Sequence, residues 1–128
     1  MFLTVDTNDK RPIYQQVVDG VKTLIARGDL SEGMTLPSVR QVAGDLGVNL
    51  NTIAFAYRQL QDEGFLTVRH GAGAVVSSRR ARGVGEDELR KPLRTALTQL
   101  ILAGRSDREI GTLVREELEA IRQKGDSR

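Results

Sequence analysis

Apolar residues recur at helical spacing in several segments of the chain. The first segment opens at Pro12, a residue suited to the first turn of a helix, and its apolar positions continue to about Arg27. Gly28 follows as a stop signal, so the pattern predicts a helix between these two points. Its apolar residues, three or four positions apart or adjacent, are Ile13, Val17, Val21, Leu24 and Ile25.

Two shorter helices are predicted next, on either side of a tight break at Gly47. Ser38 is a suitable N-cap for the first and Asn49 for the second, while Gly64 is placed to cap the end of the second. The apolar positions are Val39, Val42, Ala43 and Leu46, then Ile53, Ala56, Tyr57 and Leu60. Two helices joined by a short turn that contains glycine predict a helix-turn-helix.

A β-hairpin is predicted directly after these helices. Residues 65–69 and 74–77 are β-prone and flank a loop whose glycines permit positive φ values. Residues 34–36 are long enough for only a brief strand. Three helices followed by a hairpin predict an α+β fold, mostly α, of the winged helix-turn-helix kind.

The C-terminal part of the chain is predicted to be a short tail of two amphipathic helices. Residues 79–86 lack periodicity and are interpreted as a linker, so the predicted organisation is a domain at 1–78 and a tail at 87–128. Gly104 separates the two helices, and Ser106 with Glu109 forms a capping-box pattern. The stripes include Leu89, Leu93, Leu97, Leu100, Ile101, Ile110, Val114 and Leu118. Two short helices cannot bury such stripes alone, so a partner is expected, either the first domain or a second copy.

Composition excludes several classes of protein. The absence of cysteine rules out disulfides, thiol catalysis, iron–sulfur clusters and zinc sites built on thiolates. His70 is the single histidine, and the acidic pairs have no nucleophile beside them, so neither an enzyme nor a metal or other cofactor is expected. There is no apolar run of membrane-spanning length and no signal-peptide pattern, so the expected location is cytoplasmic, without a membrane partner.

The middle of the chain is basic. Between residues 37 and 83 there are six arginines against three acidic residues, although the whole chain has a net charge of only +2. A solvated basic face is the more common explanation of such an excess, and an anion-binding surface is the alternative. The positions of the arginines on the predicted elements therefore matter more than their number.

The helix that begins near Asn49 carries candidate base contacts in its first turn. Asparagine can pair bidentately with adenine, and a threonine methyl group can contact a thymine methyl group. Asn51 and Thr52 are therefore candidates for DNA recognition. Asn49 alone is explained better as an N-cap, although helix N-termini also favour phosphate.

Further candidate contacts lie outside this first turn. Arg40 on the preceding helix and Arg58 on the second could each bind a phosphate, with a solvated surface charge as the alternative. Arg69 and His70 stand at the tip of the hairpin, where a wing could enter a minor groove or follow phosphates. For His70, a solvated turn residue is an equally good explanation.

Several motifs occur together in the first domain. They are Pro-Ile-Tyr-Gln-Gln at 12–16, Leu-Pro-Ser-Val-Arg-Gln-Val-Ala at 36–43, Leu-Gly-Val at 46–48, Asn-Thr-Ile at 51–53, Glu-Gly at 63–64 and Gly-Ala-Gly at 71–73. Residues 10–78 thereby resemble the winged-helix DNA-binding domain of the GntR family of bacterial transcription regulators. The opening motif and the two-helix tail resemble its YtrA subfamily. By position, the family's DNA contacts would fall on Arg40, Asn49, Leu50, Asn51, Thr52, Ala54, His70 and Gly71.

This resemblance implies a sequence-specific transcriptional regulator that binds double-stranded DNA as a homodimer through its tail. Repression at an inverted-repeat operator is the implied mode of action, with no cofactor and with an unknown small-molecule effector. Leu50 and Ala54 are apolar where relatives often carry polar or basic groups, so they are not predicted to read bases and the operator stays open. The alternative hypothesis is a winged-helix module that binds proteins and has no specific DNA target.

Overall fold

The structure is a computed structural model that describes residues 3–69, 73–78, 80 and 83–122. The elements in these ranges are α1 (Ile13–Arg27), β1 (Thr35–Leu36), α2 (Val39–Leu46), α3 (Leu50–Asp62), β2 (Leu66–Arg69), β3 (Gly73–Val76), α4 (Glu86–Leu102) and α5 (Asp107–Arg122). They form two compact units, which divide between residues 82 and 83. The first unit has three helices and a small sheet, which confirms the predicted winged helix-turn-helix. The second has α4 and α5, and α4 starts one residue before the predicted tail.

The turn between α2 and α3 is defined by local hydrogen bonds. Ser38 accepts a hydrogen bond from the backbone N–H of Gln41 at the start of α2, at 3.1 Å. Gly47 ends α2 in the left-handed region, with a φ of +69° that a residue with a Cβ adopts only under strain. The predicted N-cap at Ser38 and the predicted break at Gly47 are thus confirmed, and α3 leaves this turn in a fixed direction. At its other end α3 has Glu63 as its C-cap, one residue before the predicted Gly64.

The sheet has β3 in the centre and β1 and β2 on its two sides, both antiparallel to it. Thr35 of β1 pairs with Val75 of β3, and Thr67 of β2 pairs with Val75 from the other side. The hairpin is therefore attached to the chain that precedes α2. This attachment fixes the base of the wing relative to the helix-turn-helix.

A single core joins α1, α3 and the sheet. Its fully buried side chains include Val17, Val18, Val21 and Ile25 from α1, Ile53, Ala56 and Leu60 from α3, and Leu36, Leu66 and Val76 from the strands. Because α3 buries one side in this core, its opposite side faces solvent. The core thereby decides which residues of α3 are available to a partner.

The second unit has a helix start of the predicted kind. Glu109 accepts a hydrogen bond from the backbone N–H of Ser106 at 2.9 Å, and Ser106 accepts one from the backbone N–H of Glu109 at 3.2 Å. The bond from the Ser106 backbone N–H, and after it the nearby Ser106 side chain, hold the pKa of the Glu109 carboxyl below its ordinary value. The predicted capping box is confirmed. Among the described residues, no helix is both long enough and apolar enough to cross a membrane.

Candidate nucleic-acid interface

The solvent-facing side of α3 is the main candidate interface. Asn51, Phe55 and Arg58 are exposed and recur four and three residues apart, so they lie along one stripe opposite the buried side chains. Asp62 extends this stripe at the far end of the helix and is also exposed. We call these four residues the outer face of α3. Along the helix, the outer face carries in turn a polar, an apolar, a cationic and an acidic side chain.

Asn49 and Asn51 have different roles in the structure. The Asn49 side-chain oxygen accepts a hydrogen bond from the backbone N–H of Asn51 at 2.7 Å, so Asn49 caps the helix. Bidentate pairing with adenine needs both the oxygen and the amide nitrogen, and the capping bond uses one lone pair of the Asn49 oxygen and holds it against the helix backbone. The Asn51 side chain forms no hydrogen bond with any residue that the structure describes. Its complete amide is therefore available at the start of α3.

The other predicted residues of α3 lie beside the outer face. Thr52 is half-buried, and its backbone N–H donates to the carbonyl oxygen of Asn49 at 3.1 Å. Ala54 is also half-buried. Leu50, in contrast, is 40% exposed at the first turn of the helix. The structure thus gives Leu50 more accessible surface than its apolar character predicts.

The two predicted phosphate contacts are exposed and unpaired. Arg40 lies in the first turn of α2 and Arg58 on the outer face of α3, and neither forms an ion pair with a residue in the described part of the chain. Arg11, in comparison, is bound by Asp9 at 2.8 Å and by Asp19 at 2.5 Å. Arg40 and Arg58 are thus free to pair with an external anion, whereas the charge of Arg11 is neutralised within the unit.

Tyr57 connects the two helices of the helix-turn-helix. Its ring is buried on the inner side of α3, and its hydroxyl donates a hydrogen bond to the carbonyl oxygen of Pro37 at 2.7 Å. Burial raises the pKa of this phenol well above its ordinary value, so the hydroxyl stays protonated and continues to donate. This bond holds α3 against Pro37, which lies just before the N-cap of α2. It thereby fixes the position of α2, which carries Arg40, relative to α3, which carries Asn51.

Phe55 is the residue that the sequence analysis missed. It is 47% exposed in the middle of the outer face, and its ring meets the ring of Tyr14 edge-on, with centroids 4.8 Å apart and an interplanar angle of 81°. Its position four residues after Asn51 and three before Arg58 is the signal that could have identified it. A large apolar side chain is thereby placed among the polar candidate contacts.

The predicted wing contacts lie at the limit of the described chain. Arg69 ends β2 and its backbone pairs with Gly73 of β3, where φ is +75°. The Arg69 side chain, His70 and Gly71 lie outside the described residues. Their roles in DNA binding stay predictions.

The second unit has an apolar groove of about 400 Å³ between α4 and α5. It is lined by Leu93, Ala96, Leu97, Leu100, Leu113, Val114, Glu117, Leu118 and Ile121. Five of the eight predicted dimerisation residues are in this set. Leu89 and Ile101 are exposed outside it, and Ile110 is buried, so Ile110 offers little surface to a partner. No cluster of histidine or acidic side chains that could hold a metal occurs among the described residues.

Known proteins resemble this chain over most of its length. The family model described as "Bacterial regulatory proteins, gntR family" matches residues 13–76. The HTH-type transcriptional repressor YtrA of Bacillus subtilis is 31% identical over 100 residues, which cover 78% of this chain and 76% of the relative.

Two solved structures extend this similarity to the fold. The GntR-family transcription factor YtrA from Sulfolobus acidocaldarius is 40% identical, with a TM-score of 0.62, and the match covers 77% of this chain and 99% of the other. A transcriptional antiterminator from Listeria monocytogenes is 28% identical, with a TM-score of 0.86, and the match covers 100% and 97% of the two chains.

Proposed function

This chain belongs to the GntR family of bacterial regulatory proteins and is a transcriptional regulator with a winged-helix DNA-binding fold; we propose that it is a homodimeric repressor of an inverted-repeat operator in double-stranded DNA. The observation that carries the proposal is the outer face of α3. It presents the amide of Asn51 and the guanidinium of Arg58, and neither group has a hydrogen-bond or ion-pair partner among the described residues. In helix-turn-helix proteins the second helix of the motif enters the major groove.

Each contact in the proposed complex follows from the chemistry of its side chain. Asn51 pairs with N6 and N7 of an adenine, because both atoms of its amide are free. Arg40 and Arg58 bind phosphate oxygens, since both are exposed and have no carboxylate partner among the described residues. Asn49 donates its amide N–H groups to a phosphate while its oxygen caps α3. Arg69, His70 and Gly71 are proposed to contact DNA from the wing.

A second copy of the chain is the proposed occupant of the apolar groove between α4 and α5. The groove has little polar lining, and two of its leucines, Leu93 and Leu118, are about half-exposed in the single chain. A two-fold dimer buries the same surface on both chains, and it presents two α3 helices to half-sites about 34 Å apart or a multiple of that distance. The repressor function printed for the B. subtilis relative supports repression, which binding over a promoter would produce.

The proposal is tested by fluorescence anisotropy with duplex DNA from the region upstream of the gene. The titration is repeated at several salt concentrations, with excess random duplex DNA, and with RNA of the same sequence. Saturable binding of two chains per duplex that survives both competitors is the expected result. Binding that disappears with random DNA indicates phosphate contacts only and contradicts a specific operator in that region. Binding to protein partners that survives nuclease and high salt would favour the protein-interaction alternative.

Asn51→Ala is expected to weaken operator binding by about 1–3 kcal/mol and to relax specificity at one base pair of each half-site. The variant loses the free amide but keeps the cap, because Asn49 bonds to the backbone of residue 51. Anisotropy with a set of single-base operator variants measures both effects. Asn8→Ala, an exposed asparagine outside the helices of the same unit, is the control and should leave affinity unchanged. Equal operator affinity of Asn51→Ala and the unmodified protein would disprove the assignment.

Arg40→Ala is expected to weaken binding to operator and random DNA alike and to reduce the slope of log affinity against log salt by about one. The reason is that Arg40 is exposed on α2 and binds a phosphate, which carries no sequence information. Arg11→Ala removes the same formal charge from a guanidinium that two carboxylates already neutralise, so it is the control. A salt slope identical to that of the unmodified protein would show that Arg40 binds no phosphate.

A further inference from the structure

Phe55 has an exposure that the fold does not explain. Its ring is 47% exposed on the side of α3 that faces away from the core, and within its own unit it contacts the ring of Tyr14. The next residue of α3, Ala56, is fully buried, so the boundary between the core and the outer face runs between these two positions. A single exposed apolar side chain is common on protein surfaces, so the neighbours of Phe55 on α3 decide what it can bind.

The neighbours of Phe55 indicate which partner covers it. Asn51 precedes it by one turn, and Arg58 follows it by one turn on the same stripe. A free amide and an unpaired cation on either side fit a polymer that offers hydrogen-bonding base edges and phosphates. They do not fit an apolar protein surface, which would leave both groups desolvated without partners. The partner therefore presents apolar groups between polar and anionic ones.

We propose that Phe55 contacts the C5-methyl group of a thymine in the major groove and that it selects thymine at one position of each half-site. The thymine methyl is the apolar group that base pairs display in this groove, and phenylalanine is one of the side chains that contact it. The edge-on contact with Tyr14 restricts the Phe55 ring before DNA binds, which lowers the entropy lost on binding. This inference rests on the proposed function and adds a specificity determinant to it.

The test removes one methyl group at a time from the DNA. An operator is first selected from a randomised duplex library with the unmodified protein, and each thymine of a half-site is then replaced by deoxyuridine, which differs only in lacking the C5-methyl. We expect one replacement to weaken binding by about fourfold. This factor corresponds to the free energy gained when one methyl-sized group is buried. With Phe55→Ala, the same replacement should change affinity by less than about 1.5-fold, because the methyl then has no partner.

Two further variants separate this contact from a general effect on stability. Phe55→Leu keeps an apolar side chain and should retain at least a twofold response to the same deoxyuridine. Met34→Ala removes an exposed apolar side chain outside α3 and should keep the full response. Thermal unfolding of each variant is measured in parallel, and Phe55→Ala is expected to stay folded because its side chain is half-exposed.

Three outcomes would overturn the proposal. If no replacement of a thymine by deoxyuridine weakened binding, the protein would not recognise thymine methyl groups. An unchanged deoxyuridine response in Phe55→Ala would assign the methyl contact to another residue, with Thr52, whose own methyl group can contact a thymine methyl, as the first candidate. Equal operator affinity of Phe55→Ala and the unmodified protein would show that Phe55 makes no contact that stabilises the complex with DNA. If the library yields no enriched sequence, the proposed function itself fails, and this result is distinct from the other three.

Discussion

Replacing Leu118 by glutamate is expected to convert the proposed dimer to a monomer and to weaken operator binding on the order of 100-fold. Leu118 is 48% exposed and lines the groove between α4 and α5 with Leu93 and Leu97. A carboxylate there would have to leave water when the second copy binds, and an unpaired buried charge costs several kcal/mol. Without the dimer, each α3 binds its half-site alone and the gain from bivalent binding is lost.

Analytical ultracentrifugation measures the change in mass, and anisotropy measures the change in operator affinity. Leu102→Glu is the matched control, because Leu102 is 81% exposed at the end of α4 but does not line the groove. We expect it to stay dimeric. If Leu118→Glu were a dimer with unchanged operator affinity, the groove would not be the dimer interface.

Replacing Ile53 by alanine is expected to lower the free energy of unfolding of the first unit by about 3 kcal/mol, within the range of 2–5 kcal/mol for such truncations. Ile53 lies on the inner side of α3 and is fully buried in the core. The substitution removes three carbon atoms and leaves a cavity next to the helix that carries Asn51. Ile53→Val, which removes one carbon, should cost only about 1 kcal/mol.

Urea unfolding followed by tyrosine fluorescence reports on this unit selectively. The chain has two tyrosines and no tryptophan, and both Tyr14 and Tyr57 lie in the first unit. The signal therefore does not depend on the unfolding of α4 and α5. A loss below about 1 kcal/mol for Ile53→Ala, or a loss equal to that of Ile53→Val, would contradict the packing described for α3.

The sequence predicts the helices and their ends well, because these depend on residues close together in the chain. Ser38 bonds to a residue three positions away and Asn49 to one two positions away, and the Ser106–Glu109 box spans three positions. Helical spacing of apolar residues likewise identifies the inner side of α3 without reference to the rest of the fold. Local chemistry of this kind is visible in a short stretch of sequence.

The sequence does not reveal contacts between distant segments. Tyr57 bonds to Pro37 across 20 positions, and Tyr14 meets Phe55 across more than forty. Both contacts depend on how α1, α2 and α3 pack, which the spacing of apolar residues does not specify. The contact of Phe55 with Tyr14 was missed for this reason, whereas its place on the outer face could have been identified from its spacing to Asn51 and Arg58. The assignment of single residues to bases and phosphates depends on a bound duplex and stays a prediction.

The separation of α3 into a buried side and an outer face has a consequence for how such regulators diverge. Ile53 and Leu60 hold the helix in place, whereas Asn51 and Arg58 contribute little to the core because their side chains are exposed. With the proposed DNA contacts, substitutions on the outer face change the preferred operator at almost no cost in stability. Gene duplication followed by a few such changes would give two regulators with the same scaffold and separate target genes.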